Sequence, residues 1–296
     1  MIKNYLLKAG VALLLSLMFS CDNTTADPLN QNNPNNNSGG NGSTGPTITG
    51  PRILHKIVNN NVTMQEYVTN GNILQKGIFK EASGPTSFLI GNVTYTAGKV
   101  SKVKFAQENN GVPVNSLTYD FDVTYDSDGK INSTICNASI GTLLTYRNEY
   151  TYMYDGSGKM TKIVEKRKSG TTYTHFTNYN LTNAGDNITK LITEAGMTSA
   201  TGVPDMSTVI TSTYNFSAYD NKINPYTTLP RTFFVMWSLV HPINFSSLSA
   251  NNLTTFSIVY SSTAPVIPGS YTYLYDSQNY PSSDQTQSQK YIYKAL

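Results

Sequence analysis

From Arg52 onward the chain alternates apolar and polar residues in short runs separated by turn residues. That pattern marks half-buried strands, not amphipathic helices. "YVTNGNILQKGIFK" sets Asn70-Gly71 between two such runs, a strong hairpin signal. "VTYTAGKVSKVKF" turns at Ala97-Gly98-Lys99, and "YDFDVTYDSDGKINSTI" turns at Asp126 to Gly129. "YTYMYDGSGKMTKIV" turns at Asp155 to Gly158, and "YNLTNAGDNITKLITE" turns around Gly185-Asp186-Asn187. "YNFSAYDNKINPY" and "YTYLYDSQNYP" close the series. The apolar run Phe233 to Val240 fits a buried strand or a short helix, and periodicity cannot separate the two.

The phrase at Tyr150, Tyr152 and Tyr154 returns at Tyr271, Tyr273 and Tyr275. Residues two apart share one strand face, so each set forms a row of phenol rings. Tyrosine combines strand propensity with a large apolar body and a polar tip. The Asp and Gly of each turn supply local hydrogen bonds and positive φ, and the Lys after the Gly restarts a strand on its wet face. Tyr119, Tyr150 and Tyr271 open similar phrases at unequal intervals, unlike a solenoid or propeller. The pattern therefore predicts an all-β fold: one large meandering antiparallel sheet of hairpins, curved toward a half-barrel or open barrel.

Three segments follow from composition. Residues 1–20 hold Lys3, Lys8 and an apolar run of eleven residues, Ala9 to Phe19. This is shorter than the ~20 residues that a spanning helix needs, and it matches a secretory signal. "LMFSC" resembles a bacterial lipobox, which implies cleavage before Cys21 and acylation of Cys21, by chains such as palmitate. Residues 21–51 are Asn, Gly, Ser, Thr and Pro with almost nothing apolar, and read as a disordered tether. Its 29 residues from Asp22 to Gly50 reach about 30 Å root-mean-square. Residues 52–296 form a single β domain, long enough to bury its own core.

Loss of Lys3 and Lys8 with the leader lowers the formal charge from +3 to +1, which argues against nucleic acid as a partner. The densest basic group, "KIVEKRK" from Lys162, reads as a solvated strand edge. With Cys21 acylated, Cys136 stands alone in an alternating stretch and reads as a buried, inert thiol.

Catalytic and cofactor signatures do not emerge. His55, His175 and His241 lie far apart, no Cys-x-x-Cys or His-x-x-x-His spacing occurs, and there is no G-x-S-x-G elbow or phosphate loop. No catalytic residue, metal ligand or cofactor is therefore expected. Asp126-Ser127-Asp128-Gly129 mimics part of a calcium loop, but position 124 is Thr and the bidentate Glu is missing, so a turn is expected. Asp120 and Asp122 share a strand face and offer a minor hydrolase alternative.

"YDSDGKI", "YDGSGKMTKI" and "YDSQNYP" resemble the Tyr-Asp-x-x-Gly-Lys hairpins of a family of Gram-negative lipoproteins of unknown function with a porin-like fold. "YDNKINPY", Tyr219 to Tyr226, is similar to that family's mid-domain phrase, whereas "YDSQNYPSS" carries Gln278-Asn279 where the family prefers Gly. The resemblance implies a curved sheet on a lipid anchor in the outer membrane, and it brings no catalytic residues. The expected function is a non-enzymatic envelope module that binds a glycan or apolar ligand on Tyr150, Tyr152, Tyr154, Tyr271, Tyr273 and Tyr275. The alternative is a structural or assembly accessory of the outer membrane with an envelope-protein partner. A membrane-spanning barrel fits less well, because the strands carry Lys and Asn where an apolar band is required.

Overall fold

The computed structural model describes residues 50–296; residues 1–49, with Cys21 and nearly all of the tether, lie outside the described residues. The expected hairpins form as β1 (Arg52–Asn59), β2 (Val62–Asn70), β3 (Ile73–Lys80), β4 (Ser87–Thr96), β5 (Lys99–Asn109) and the short β6 (Val112–Pro113). They continue as β7 (Leu117–Tyr125), β8 (Ile131–Ile140), β9 (Leu143–Tyr154), β10 (Met160–Ser169), β11 (Thr172–Ala184), β12 (Asn187–Met197) and β13 (Ile210–Tyr219). The last are β14 (Leu253–Val259), β15 (Ile267–Ser270), β16 (Leu274–Tyr275), β17 (Pro281–Ser283) and β18 (Gln289–Ala295). All belong to one antiparallel sheet of 18 strands.

The sheet meanders from β2 to β15, and β1 joins β2 to β18. The run Ile267 to Tyr275 pairs with β14 through β15 and with β17 through β16. Residues 271–273, between β15 and β16, belong to no strand, so the ladder is interrupted and the sheet stays open at this seam. Turns therefore collect at two poles. The pole with the Asp126, Asp155 and Asp276 turns also holds both ends of the described chain, where the Leu296 amide donates to the Pro51 carbonyl at 3.1 Å.

The run Phe233 to Val240 proves helical. Helix α1 (Arg231–Val240) starts after Pro230 and stops before His241-Pro242. Proline at both borders fits, since it can open a helix but not continue one. Every residue from Phe233 to Leu239 is buried. A helix that is apolar all round carries no one-sided stripe, which is why the sequence left it ambiguous. It lies against the sheet's inner face, where Trp237 stacks on Phe79 with centroids 4.4 Å apart. Phe105, Phe79 and Phe234 surround Phe233 at 5.3–6.1 Å.

Two strand glycines make room for this helix. Gly77 faces Gly91 in register. A Cβ at Gly91 would stand 2.5 Å from the Phe105 ring and 2.9 Å from Phe233, and one at Gly77 would stand 2.6 Å from Phe233.

The helix belongs to an insertion between β13 and β14. "YDNKINPY" therefore does not close a tight hairpin, contrary to its resemblance to the other turns. Asp220 instead bridges the neck of the insertion, its Oδ1 accepting from the amides of Lys222 at 2.9 Å and Asn252 at 3.1 Å. A second correction concerns "KIVEKRK". β10 is paired on both sides, by β9 and β11, and is not an edge. Glu165 is buried on the inner face and Lys168 pairs outside with Glu149 at 2.8 Å.

The repeated phrase has a common geometry. In the Asp126 turn, Oδ1 accepts from the amides of Asp128 and Lys130 at 3.0 and 2.9 Å. Asp155 does the same for Ser157 and Lys159, and Asp276 for Gln278 and Tyr280. Gly129 and Gly158 take φ of 80° and 82°, and Asn279 fills that place at 66°, a conformation Asn tolerates. Each tyrosine before the Asp then ties its strand to the neighbouring hairpin. The Tyr125 hydroxyl donates to the Val100 carbonyl at 2.7 Å and the Tyr154 hydroxyl to Ile131 at 2.9 Å. Tyr219 donates to Ile188 at 2.6 Å.

Two outcomes are expected. Gly77→Ala overpacks the contact with Phe233, 2.6 Å from the added Cβ, and costs about 1–3 kcal/mol in urea unfolding. Adding Phe233→Leu recovers part of that loss, which a merely local backbone effect would not allow. Tyr154→Phe removes one latch and costs about 1 kcal/mol by the same measurement.

Candidate functional site

The two tyrosine rows have different fates. Tyr150 and Tyr152 are 3% and 7% exposed, so they present no face to a ligand. Their hydroxyls are committed inside: Asn148 Nδ2 donates to the Tyr150 hydroxyl at 3.0 Å, and the Tyr152 and Thr134 hydroxyls share a bond of 2.9 Å. Tyr154 is half-buried and serves as a latch. This row is core, because β9 lies mid-sheet with its even-numbered face turned inward.

Next to Tyr150 sits a buried polar group. Glu165 accepts from the Tyr179 hydroxyl at 2.9 Å and from Arg167 Nη2 at 3.3 Å, while Arg167 Nε donates to Asn148 at 3.1 Å. Burial pushes the Glu165 carboxyl up, and Arg167 and Tyr179 pull it back. Every member has a partner, which makes this a structural network.

The second row lies on the seam. Tyr271 stacks on Phe256 at 5.4 Å, Tyr273 follows at 6.4 Å, Tyr275 at 6.1 Å, and Tyr291 of β18 flanks Tyr273 at 6.2 Å. Five rings thus bridge the two edges of the open sheet. Gly269 permits the stack, since a Cβ there would lie 2.1 Å from the Phe256 ring. Tyr273 donates to the Leu253 carbonyl at 2.9 Å, and Tyr275 donates to Asp220. Tyr271 has 37% of its surface exposed. Burial raises the phenols of Tyr271, Tyr273, Tyr275 and Tyr291, which keeps them neutral hydrogen-bond donors.

Phe256 and Tyr291 were not singled out from the sequence. Tyr291 and Tyr293 do alternate on β18, but without the Asp-x-x-Gly turn that flagged the other rows. Nothing local in the sequence says that β14 and β18 approach the same seam.

The acids and histidines are occupied elsewhere. Lys102 Nζ lies 3.3 Å from Asp120 and 3.2 Å from Asp122, so both carboxylates share one surface cation. The Asp126 carboxylate is used by its turn amides. Among the described residues no group of three His, Cys, Asp or Glu side chains could hold a metal. Cys136 is a free, fully buried thiol whose pKa burial pushes up. His175 is exposed on β11 and His241 sits at the end of α1.

His55 carries a pH dependence. Its Nδ1 lies 3.2 Å from the Tyr67 carbonyl, and burial lowers its pKa to about 4. Below pH ~6.5 the unfolded chain takes up a proton that the folded protein refuses. Stability is therefore expected to fall as pH drops from about 6.5 to 4, by up to about 3 kcal/mol from this group. Thermal midpoints measured across that range should flatten in His55→Asn, which keeps a donor near the Tyr67 carbonyl.

Comparison with known proteins adds one solved structure. No family model matches the chain, and no curated protein matches it. The chain is similar to a porin-like protein from Bacteroides vulgatus, with a TM-score of 0.48 and 11% sequence identity over 82% of this chain and 100% of that one.

Proposed function

We propose that the chain is a non-enzymatic, lipid-anchored module of the cell envelope that binds a glycan or an apolar ligand along the tyrosine row of the seam. The observation that carries the reading is the row Tyr271, Tyr273 and Tyr275 with Tyr291 beside it, backed by the buried Phe256 and opening to solvent at Tyr271. Aromatic faces at such spacing offer stacking positions for sugar rings or for an apolar chain, with the Tyr273 and Tyr275 hydroxyls held by Leu253 and Asp220 so that the rings are fixed in place. The signal-like residues 1–20 and the lipobox-like "LMFSC" support acylation at Cys21 and an outer-membrane location. No helix among the described residues is long and apolar enough to cross a membrane. Lys102, Lys104, Asp120 and Asp122 on the outer face of β5 and β7 interrupt any apolar belt there.

A second reading, an accessory that docks an envelope protein, is favoured by a different feature. At the pole away from the chain ends, Val112, Leu143, Leu144, Val203, Met206 and Val266 are all exposed on strand ends and the connections between them.

The expected result for the first reading is that at least one envelope glycan or lipid raises the thermal midpoint of the full chain. Tyr271→Ala should weaken that ligand about 3–10-fold with little loss of stability. Stabilisation that ignores Tyr271→Ala would move the site away from the seam. Cross-linking in cells that captures one reproducible protein and no ligand effect would favour the second reading. Mass spectrometry of the mature protein reads the lipid on Cys21 directly.

A further inference from the structure

The turn that follows each tyrosine delivers a lysine, and three of these lysines gather around the entrance of α1. Lys99 Nζ reaches across the next turn, to 3.3 Å from where a Cβ at Gly129 would stand, and sits 5.1 Å from the Tyr125 ring. Lys130 repeats the move over Gly158 and lies 5.6 Å from the Tyr154 ring. Lys159 donates to the Gly185 carbonyl and pairs with Asp186 at 3.3 Å, an acid whose side chain is 79% exposed.

Arg231, the first residue of α1, stands at the centre. It borders two clefts at once, one of about 220 Å³ shared with Lys159, Asn183 and the carboxylate of Asp186, the other of about 390 Å³ shared with Lys99 and Tyr125. Its Nη1 donates to the Leu248 carbonyl at 2.8 Å, and among the described residues no carboxylate lies within ion-pair distance of it. Lys99 likewise has an aromatic face and no acid. Nearby acids are used differently: Asp126 and Asp155 spend Oδ1 on turn amides. The entrance thus sets Arg231 and Lys99, whose partners are a carbonyl and a ring, beside Lys159 and Lys130, which share exposed acids, Asp186 at 3.3 Å and Asp128 at 4.0 Å. The start of α1 adds to this potential, having no side-chain cap and no acid in its first turn.

We propose that the clefts on the two sides of Arg231 bind a phosphate group, with Arg231 as the forked donor and Lys99 or Lys159 as the flanking charge. Guanidinium matches phosphate geometry with two parallel bonds, and lysines add point charge. The phosphate is either that of a lipid headgroup or that of a small soluble ester. Both ends of the described chain lie at this same pole. The site uses none of the residues of the tyrosine seam, so it stands or falls separately from the reading above.

The test uses the full chain with Cys21→Ala, which removes any acyl contribution to membrane binding. Thermal midpoints are measured with inorganic phosphate and glycerol phosphate, against sodium chloride at equal ionic strength. Flotation is measured with phosphatidylcholine vesicles and with vesicles containing one-fifth phosphatidylglycerol. The expected result is a midpoint rise of about 3 °C at tenfold excess over Kd, or flotation with the anionic vesicles alone. The first outcome assigns a soluble ester and the second a lipid headgroup. In either case Arg231→Gln should weaken binding about tenfold, and Lys99→Gln, a surface change, less. Arg231→Lys should retain part of it, which separates lost charge from lost fold. No response in either assay, or a response equal in Arg231→Gln and Lys99→Gln to that of the parent, overturns the proposal.

Discussion

The structure depends on how one face of a very large sheet is covered. A meander of hairpins has an inner face of Tyr67, Phe105, Phe121, Ile163, Leu191 and Phe216, all essentially buried. Among the described residues no second sheet packs against them. Curling brings some of these side chains together, but the concavity is wider than they can fill. Residues 220–252 supply the remainder by turning inward as a helix whose central residues are all buried and, but for Ser238, apolar. Phe233 is the point of closest fit, seated over two facing strand glycines. Dense packing of this kind tolerates neither voids nor added methyl groups.

Filling the concavity sets a second requirement, since the insertion must enter through one pole. The strand ends around that entrance are held by the tyrosine latches, which join one hairpin to the next outside the regular ladder. A phenol suits the task because its ring packs on the core while its hydroxyl reaches a carbonyl that the last rung leaves unused. Asn183 takes the same role where no tyrosine is present, donating to the Met160 carbonyl at 3.0 Å. The phrase Tyr-Asp-x-x-Gly-Lys is thus one solution to one local problem, met again at each hairpin.

This explains which features were legible in the sequence. Hairpins such as β2–β3 and β9–β10 announce themselves through period two and through Asn-Gly or Asp-x-x-Gly, because both signals are local. The identity of Phe233 to Val240 was hidden, since a helix buried on all sides has no polar face to break the run. The insertion was hidden behind a borrowed phrase: Tyr219-Asp220 has the usual opening, yet Asp220 caps Asn252 across the neck instead of a residue four positions on. Tyr150 and Tyr271 belong to nearly identical phrases and end in different places. One lies mid-sheet under the helix insertion and the other on the seam, and strand order, a long-range property, decides between them. The gathering of charged groups around Arg231 could not be read at all, because Lys99, Lys159 and Asp186 come to the clefts beside it only through the curl.

The unequal spacing of the repeated phrase follows from the same asymmetry. Successive turns alternate between the poles, and only the pole of the insertion needs latches. Most of the opposite connections turn on residues of positive φ, such as Asn60, Asn110, Gly111, Gly141 and Gly170, and where an Asp closes one, as Asp284 does, no Tyr precedes it. Freed from sealing an entrance, these loops vary in length and leave apolar side chains such as Leu143 and Met206 in solvent. The two poles are therefore chemically distinct. One is capped, cationic within its clefts and close to both chain ends; the other is loosely connected and apolar at its tips. The tyrosine seam runs along the wall between them. The difference between the poles is set by the helix, which enters the sheet at one of them only.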